Sequence, residues 1–423
     1  MTTETDMTAV TRGPAPSAGF RYSWTDSFLW SIRVMALFFI AWGLLGAIGL
    51  SLSGDGLSAD AWKQLVIAGL AQGSMYGLLA LGYSMVYGVL GFINFAHGEV
   101  FMVGAMVGFF AADAMARSGF WEANFVFAIL IVLVIAIFSS TFTAVLIEKV
   151  AYRPLRNAPR LIPLITSIGI SFFIQNAMAL LVGPAFRTYP AAPSWLSDPI
   201  SLFGIDVPGT AIAVFVITLI SMVGLWLFVE RSATGRAMRA VAEDKEIAAL
   251  MGINVDRVVV ITFAVGGAMA GVAAILWAIM FRGVSFFIGF LPGIKAFTAA
   301  VLGGIGNIVG AMVGGLLLGL FEGLGPNIVL RGLSWQVPLL LGITFLVVGV
   351  IGALVYVRKK HSGLLVFSAS AVLLGLAGIA GWTIAIPGLT QLKDVFGFAA
   401  LVLVLIFKPS GLFGEHLSKD DRA

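Results

Sequence analysis

The sequence predicts an all-α, polytopic bundle of transmembrane helices with about 10–12 membrane segments, one of them broken or re-entrant. Three observations lead there. Only 11% of the 423 residues are charged and 60% are hydrophobic, whereas a water-soluble domain carries about 25% charged residues to cover its surface. The apolar stretches run for about twenty residues without strict polar alternation, which suits helical crossings and not the roughly ten-residue alternating strands of a barrel. The chain also holds 51 glycines, against a usual share of roughly 7%, and small residues let membrane helices approach closely.

The same composition excludes several chemistries. With no cysteine, disulfides and thiolate sites are absent, and His97, His361 and His416 are too widely spaced to suggest a metal cluster. No cofactor or metal site is expected. A net charge of +4, with basic residues in short loops, fits the positive-inside rule and not nucleic-acid binding. No Gly-x-x-x-x-Gly-Lys-Ser/Thr loop is present, so any ATP-driven step needs a second polypeptide.

In chain order, residues 1 to 28 are polar and rich in Thr, Ser, Pro and Gly, which predicts a disordered cytoplasmic tail. Val34 to Leu52 follows as a retained helix; it is longer than a signal-peptide core and lacks a clear Ala-x-Ala site. Arg21 and Arg33 hold its start in the cytoplasm. Further spans are expected at 65–93, 99–118, 124–147, 163–183, 207–229 and 257–281. Lys149, Arg153, Arg156 and Arg160 place the loop Glu148 to Arg160 in the cytoplasm, while Arg187 against Asp198 and Asp206 places Pro184 to Asp206 outside. Arg231, Arg236, Arg239, Lys245 and Arg257 make Glu230 to Arg257 cytoplasmic too.

Gly289 to Gly323 is irregular. A single crossing would put Arg358, Lys359 and Lys360, after the helix Val337 to Val357, on the outer side; a hairpin or two short halves restores the parity. Gly303-Gly304-Ile305-Gly306-Asn307 supplies the break. The last spans are Leu364 to Ile386 and the short Val395 to Phe407.

Glycines recur at every fourth residue as Gly69, Gly73 and Gly77, as Gly306, Gly310 and Gly314, and as Gly315, Gly319 and Gly323, which clears helix faces for close packing. Polar groups at membrane depth are costly unless paired or wet, so Gln72, Ser74, Tyr76, Asn94, His97, Glu99, Gln175, Asn176 and Asn307 are candidates for a translocation path. For Asn94 to Glu99 a solvated boundary turn, with Asn94 capping the next helix, is the competing explanation. Gln175 and Asn176 suit an interhelical hydrogen-bond pair better than ligand contacts. Few ionisable residues fall inside the spans: Asp113 and Lys295 lie near predicted ends, and no relay of buried carboxylates, as proton-coupled pumps need, is visible.

From Gly235 the cytoplasmic loop has good helix formers, with Met238, Val241, Ala248 and Met251 at roughly three-to-four spacing and Gly252 where a C-cap glycine belongs. The spacing predicts a short amphipathic helix over 235–252. Its charges are mixed in sign, which favours docking on a partner protein over lying on lipid.

Five segments together carry a family resemblance: Gly69-Leu-Ala-Gln-Gly-Ser-Met-Tyr-Gly77 continuing to Asn94-Phe-Ala-His-Gly-Glu99, Glu148-Lys-Val-Ala-Tyr-Arg-Pro-Leu-Arg156, the cytoplasmic loop Glu230 to Arg257, Lys295-Ala-Phe-Thr-Ala-Ala-Val-Leu-Gly-Gly-Ile-Gly-Asn307 and Phe407-Lys-Pro-Ser-Gly-Leu-Phe-Gly414. In this order they resemble the bacterial branched-chain amino acid ABC transporter permeases, H-type. The resemblance implies a multi-pass inner-membrane permease subunit without its own ATPase, working with a second related permease, two cytoplasmic ATPase subunits and a periplasmic substrate-binding protein. It also implies that the cytoplasmic loop seats the ATPase, with Arg239, Glu243, Glu246, Ala248, Ala249 and Gly252 as the coupling residues. Glu246, Ala248 and Gly252 match the Glu-Ala-Ala frame of ABC importers, Ile247 replaces its first alanine, and the downstream Ile-x-Leu-Pro portion is missing.

On this basis residues 64–336 form the permease core, with 230–257 as its coupling loop. Residues 29–63 add a helix, 337–392 insert two more, and 393–423 hold the last span and a cytoplasmic tail. Same-family permeases for urea, short amides or aromatic acids are the alternative; a self-sufficient secondary transporter or channel is the other class.

Overall fold

The computed structural model describes residues 24 to 414, except 157, 160, 203, 334–336, 360–361, 382–391 and 409. The expected tail as far as residue 23 with Arg21, the pair Lys360 and His361, the end of the second inserted helix and His416 lie outside the described residues.

Helix α1 (Trp24–Leu52) starts earlier than the apolar run alone suggests. Residues 24 to 28, expected in the polar tail, belong to it, because Trp24 and Phe28 continue the apolar pattern N-terminally. Ser58 starts α2 (Ala59–Leu90) by accepting a hydrogen bond from the Ala61 amide, and Gly91, at φ 76°, ends it in the left-handed region that only glycine adopts freely. Then come α3 (His97–Arg117), the short α4 (Phe120–Ala123) and α5 (Phe125–Ile147), which runs into a wide turn at Glu148–Tyr152. Helix α6 (Leu161–Val182) leads to β1 (Arg187–Thr188), α7 (Ser194–Ser197) and the hairpin of β2 (Pro199–Leu202) with β3 (Ile205–Pro208). Beyond α8 (Gly209–Arg231) lie α9 (Ala233–Glu243), α10 (Lys245–Leu250) and α11 (Val255–Phe281), then β4 (Gly283–Val284), which pairs antiparallel with β1. The chain closes with α12 (Phe290–Gly303), α13 (Ile308–Gly325), α14 (Arg331–Leu333), α15 (Leu339–Lys359), α16 (Ser362–Ile379) and α17 (Lys393–Phe407).

Among the described residues nine helical stretches are long and apolar enough to cross a membrane, and Phe290–Gly303 and Leu365–Ile379 are shorter apolar helices. This is a multi-pass membrane protein. The amphipathic segment is two helices where one was expected. It starts at Ser232, whose side chain caps the Gly235 amide, and it breaks at Asp244, whose carboxylate accepts from the Glu246 and Ile247 amides and so starts a second helix.

The chain divides into two compact units, one of Met1–Gly56 with Ile328–Pro387 and the other of Leu57–Asn327 with Gly388–Ala423. Within the first, α15 and α16 pack through glycines: a Cβ at Gly342 would lie 3.0 Å from the Gly378 Cα, and one at Gly375 would lie 2.6 Å from the Leu346 amide. Phe38 meets Phe345 edge to face at 4.8 Å, beside the buried Trp42. The second unit is built around α2, which is buried for most of its length from Gly69 onward and is flanked by α8, α11, α12 and α13.

The glycine steps explain how α2 gets so close to α13. A Cβ at Gly69 would lie 2.9 Å from the Gly319 carbonyl oxygen, and one at Gly73 would lie 2.7 Å from that of Gly315. Gly310 and Gly314 face α12 instead, against Gly303 and Ala299. Gly306 differs from the expectation: with φ 93° it sits in the break between α12 and α13, off the packing face. The closing motif fills this break. Leu412 and Phe413 amides donate to the Leu302 and Gly303 carbonyls at 2.9 Å each, and Asn307 Nδ2 donates to the Phe413 carbonyl at 3.1 Å.

Candidate functional site

Three polar constructions stand out in the second unit. The first joins four helices. Lys295 of α12 forms ion pairs with Glu322 of α13 at 3.0 Å and Asp394 of α17 at 2.6 Å. On α2, the Tyr76 hydroxyl donates to Glu322 at 3.1 Å, and Gln72 donates to Tyr76 and, at 3.3 Å, to Glu322. The Lys295 and Glu322 side chains are 7% and 1% exposed, while Asp394 at 34% still reaches the surface. Removing water from these charges is expensive and their mutual attraction offsets it, so each depends on the others being present. The sequence argument placed Lys295 near a helix end and saw no clustered buried carboxylates; Glu322 and Asp394 escaped it because they lie 27 and 99 residues from Lys295.

The second construction is the turn from Asn94 to Glu99 and the cavity beside it. Instead of a solvated turn this segment is deeply buried, with Asn94, His97 and Glu99 exposed by 3%, 2% and 1%. It folds inward because α3 approaches α12 through glycines: a Cβ at Gly98 would lie 2.5 Å from the Gly289 carbonyl oxygen. Asn94 is not the cap of α3; Ala96 holds that position, without a side-chain cap. Its Oδ1 accepts from the Ala96 amide at 3.0 Å and from the Tyr152 hydroxyl at 2.6 Å, tying the segment to the wide turn that follows α5. Glu99 Oε1 accepts from Ser171 at 3.2 Å and Gln175 at 2.5 Å, both on α6, while Glu99 Oε2 is buried without a hydrogen-bond partner. A cavity of ≈ 210 Å³ adjoins Glu99 and is walled by Tyr83, Phe95, Ile168, Phe172, Phe290 and Ile294.

The remaining path candidates are placed elsewhere. Asn176 does not pair across helices: it is exposed and donates to the Phe172 carbonyl of its own helix. Ser74 likewise returns its hydroxyl to the Ala71 carbonyl, and Asn307 caps α13 through the Gly310 amide. Asp113, near a helix end, pairs with Arg117 at 2.7 Å.

The third construction is the α9–α10 elbow. Met238 and Val241 are buried, holding α9 against α2, α8 and α11. Arg239 braces the elbow from within, donating to the Val229 carbonyl at 2.6 Å and pairing with Glu230 at 3.0 Å. Lys245 Nζ donates to the Leu90 carbonyl in the last turn of α2 at 3.0 Å. Ala248 is buried, whereas Glu243, Glu246, Ala249 and Gly252 are exposed, and Gly252 adopts φ 83°. The apolar side chains that protrude are Ile247, Leu250 and Met251, exposed by 60%, 86% and 78%. Beneath the elbow, Gly88, Met238, Arg239, Gly306 and Ile308 line one small cavity, so the α12–α13 break lies at this same end of the bundle. The basic loop is stapled there as well: Asp256 at the start of α11 pairs with Arg153 at 2.9 Å and with Arg156, which also holds the buried Glu148.

Fold and site together define a multi-pass helical membrane protein whose tightly packed core carries buried polar groups and whose one end presents an apolar elbow. Residues 65–348 match the family model described as the branched-chain amino acid transport system permease component, and the chain belongs to that family. It is 42% identical to the high-affinity branched-chain amino acid transport system permease protein BraD of Pseudomonas aeruginosa, over 84% of this chain and 96% of that protein. It is 41% identical to LivH of Salmonella typhimurium over 83% and 95% respectively, and 42% identical to LivH of Escherichia coli over 62% and 85%, both named permease proteins of the same system. No solved structure is a significant match.

Proposed function

We propose that this chain is the permease subunit of an ATP-driven importer that moves branched-chain or related hydrophobic amino acids across the bacterial inner membrane. It assembles with a second related permease, two cytoplasmic ATPase subunits and a periplasmic binding protein. The names of its relatives support the substrate class. The observation that carries the coupling is the elbow: three large apolar side chains, Ile247, Leu250 and Met251, protrude from a segment that also exposes the charges of Glu243, Asp244, Lys245 and Glu246. Exposed apolar groups ringed by charge favour docking on a protein groove.

Movement of the docked ATPases then reaches the membrane through two links. Met238 and Val241 seat α9 on α2, α8 and α11, and Lys245 holds the last turn of α2. Helix α2 meets α13 over glycines, so it shifts without side chains having to climb over one another. It carries Tyr83, which borders the Glu99 cavity, and Tyr76 of the ion-pair cluster.

Leu250→Asp with Met251→Asp tests the coupling in the reconstituted importer. ATP-dependent leucine uptake falls at least tenfold while the subunit still inserts in the membrane. Normal uptake by this variant, or ATP-independent uptake by the chain alone under an ion gradient, overturns the proposal.

A further inference from the structure

We infer that the cavity beside Glu99 is a substrate-binding station of the permease itself, in which Glu99 Oε2 receives the α-ammonium group of a compact apolar amino acid. This rests on the amino-acid reading above. Glu99 is 1% exposed, and its two oxygens have different roles. Oε1 is held by Ser171 and Gln175 of α6; Oε2 has no partner, although an oxygen lone pair away from water is unfavourable unless a donor meets it. The amino end of α12, at Gly289 and Phe290, borders the same space. What is missing is a hydrogen-bond donor, and the ammonium group of an amino acid brings one.

The walls state what else the ligand carries. Phe95, Ile168, Phe172, Phe290 and Ile294 offer only apolar surface. The ≈ 210 Å³ volume is below the roughly 300–1,000 Å³ of pockets for larger ligands, so it suits a short branched side chain. Gly289 lies against both the Gly98 backbone and the carboxylate, since a Cβ there would run into the Gly98 carbonyl oxygen and lie 2.9 Å from Oε2. Helix α6, whose main neighbour is α3, supplies one wall, and its Ile168 and Phe172 are 40% and 54% exposed at the rim. Entry to the cavity thus runs past α6 and not through the packed core.

The chain has no cysteine, so Ile168→Cys places a single thiol at the rim. In the complete importer in proteoliposomes, leucine slows maleimide labelling of this thiol. Isoamylamine, which keeps the ammonium and loses the carboxylate, also slows it; 4-methylpentanoate, which lacks the ammonium, does not. Adding Glu99→Gln raises the leucine concentration for half-protection at least tenfold, and Glu99→Asp recovers part of the loss. Ile294→Trp, which fills the cavity while keeping the charge, has the same effect and decides the matter if Glu99→Gln does not insert. A role for Glu99 only as an α3–α6 clamp predicts equal protection by leucine and 4-methylpentanoate, and that result, or an unchanged half-protecting concentration in both variants, overturns the site. ATP-dependent leucine uptake is read in the same vesicles. Uptake without protection removes the site alone, whereas absence of both removes the amino-acid assignment with it.

Discussion

Lys295→Met is expected to be among the most destabilising single changes in the second unit, while adding Glu322→Leu to it is expected to recover most of the loss. The lysine bonds Glu322 at 3.0 Å in a setting where the two side chains are 7% and 1% exposed. Removing one partner of a buried pair costs about 3–5 kcal/mol, because a bare charge remains. The lower end applies here, since Tyr76 and Gln72 still donate to Glu322 at 3.1 and 3.3 Å. Asp394 loses a partner too, but it is 34% exposed and water takes over, adding at most about 1 kcal/mol. The estimate is therefore about 3 kcal/mol for Lys295→Met. Replacing both charges by apolar groups of similar volume is often neutral, so the double variant should lie within about 1 kcal/mol of the native protein. Unfolding of the purified subunit in mixed micelles by denaturing detergent, followed by far-UV circular dichroism, gives both numbers. If the single variant unfolds like the native protein, or the double variant is no better than the single, mutual neutralisation is not what these residues contribute.

Gly73→Ala should destabilise by about 1–3 kcal/mol through overpacking, because its Cβ meets the Gly315 carbonyl oxygen at 2.7 Å and neither backbone can yield alone; the same unfolding titration measures it. Gly252→Val forces a β-branched residue to φ 83° and should reorient Leu250 and Met251, lowering the ratio of leucine imported to ATP hydrolysed at least severalfold. Glu246→Ala, which removes an exposed charge beside the apolar elbow, should shift that ratio in the same direction by a smaller factor. Tyr152→Phe deletes the hydroxyl that anchors Asn94 and should cost about 1 kcal/mol in the titration, with a faster maleimide reaction at Ile168→Cys if the Asn94–Glu99 turn loosens.

Much of this architecture is legible in the sequence because lipid imposes a simple rule: a backbone that cannot bond to water must close its hydrogen bonds within helices. Glycine periodicity disclosed the faces of α2 and α13 because a missing Cβ acts locally. The end of the elbow was legible for the same reason, since Gly252 terminates it by its own backbone geometry. The split at Asp244 was missed because an aspartate inside a helical pattern is ambiguous until its carboxylate is seen to cap the next amides. In sequence the turn from Asn94 to Glu99 reads as a path candidate or as a solvated boundary turn, because polarity alone does not separate the two, and it is the glycine contact between α3 and α12 that draws it inside.

From its residues alone the chain determined its solvent, the existence of its spans, the break in one of them and the kinship of its motifs, since each is written in contiguous composition or spacing. Tertiary structure alone decided which polar groups meet. Lys295 finds Glu322 and Asp394, Glu99 finds Ser171 and Gln175, and the closing motif finds the Gly303–Asn307 break, across separations of tens to hundreds of residues. Pairing of this kind depends on how helices rotate and approach one another, and that is set by packing summed over whole faces, which no local pattern encodes.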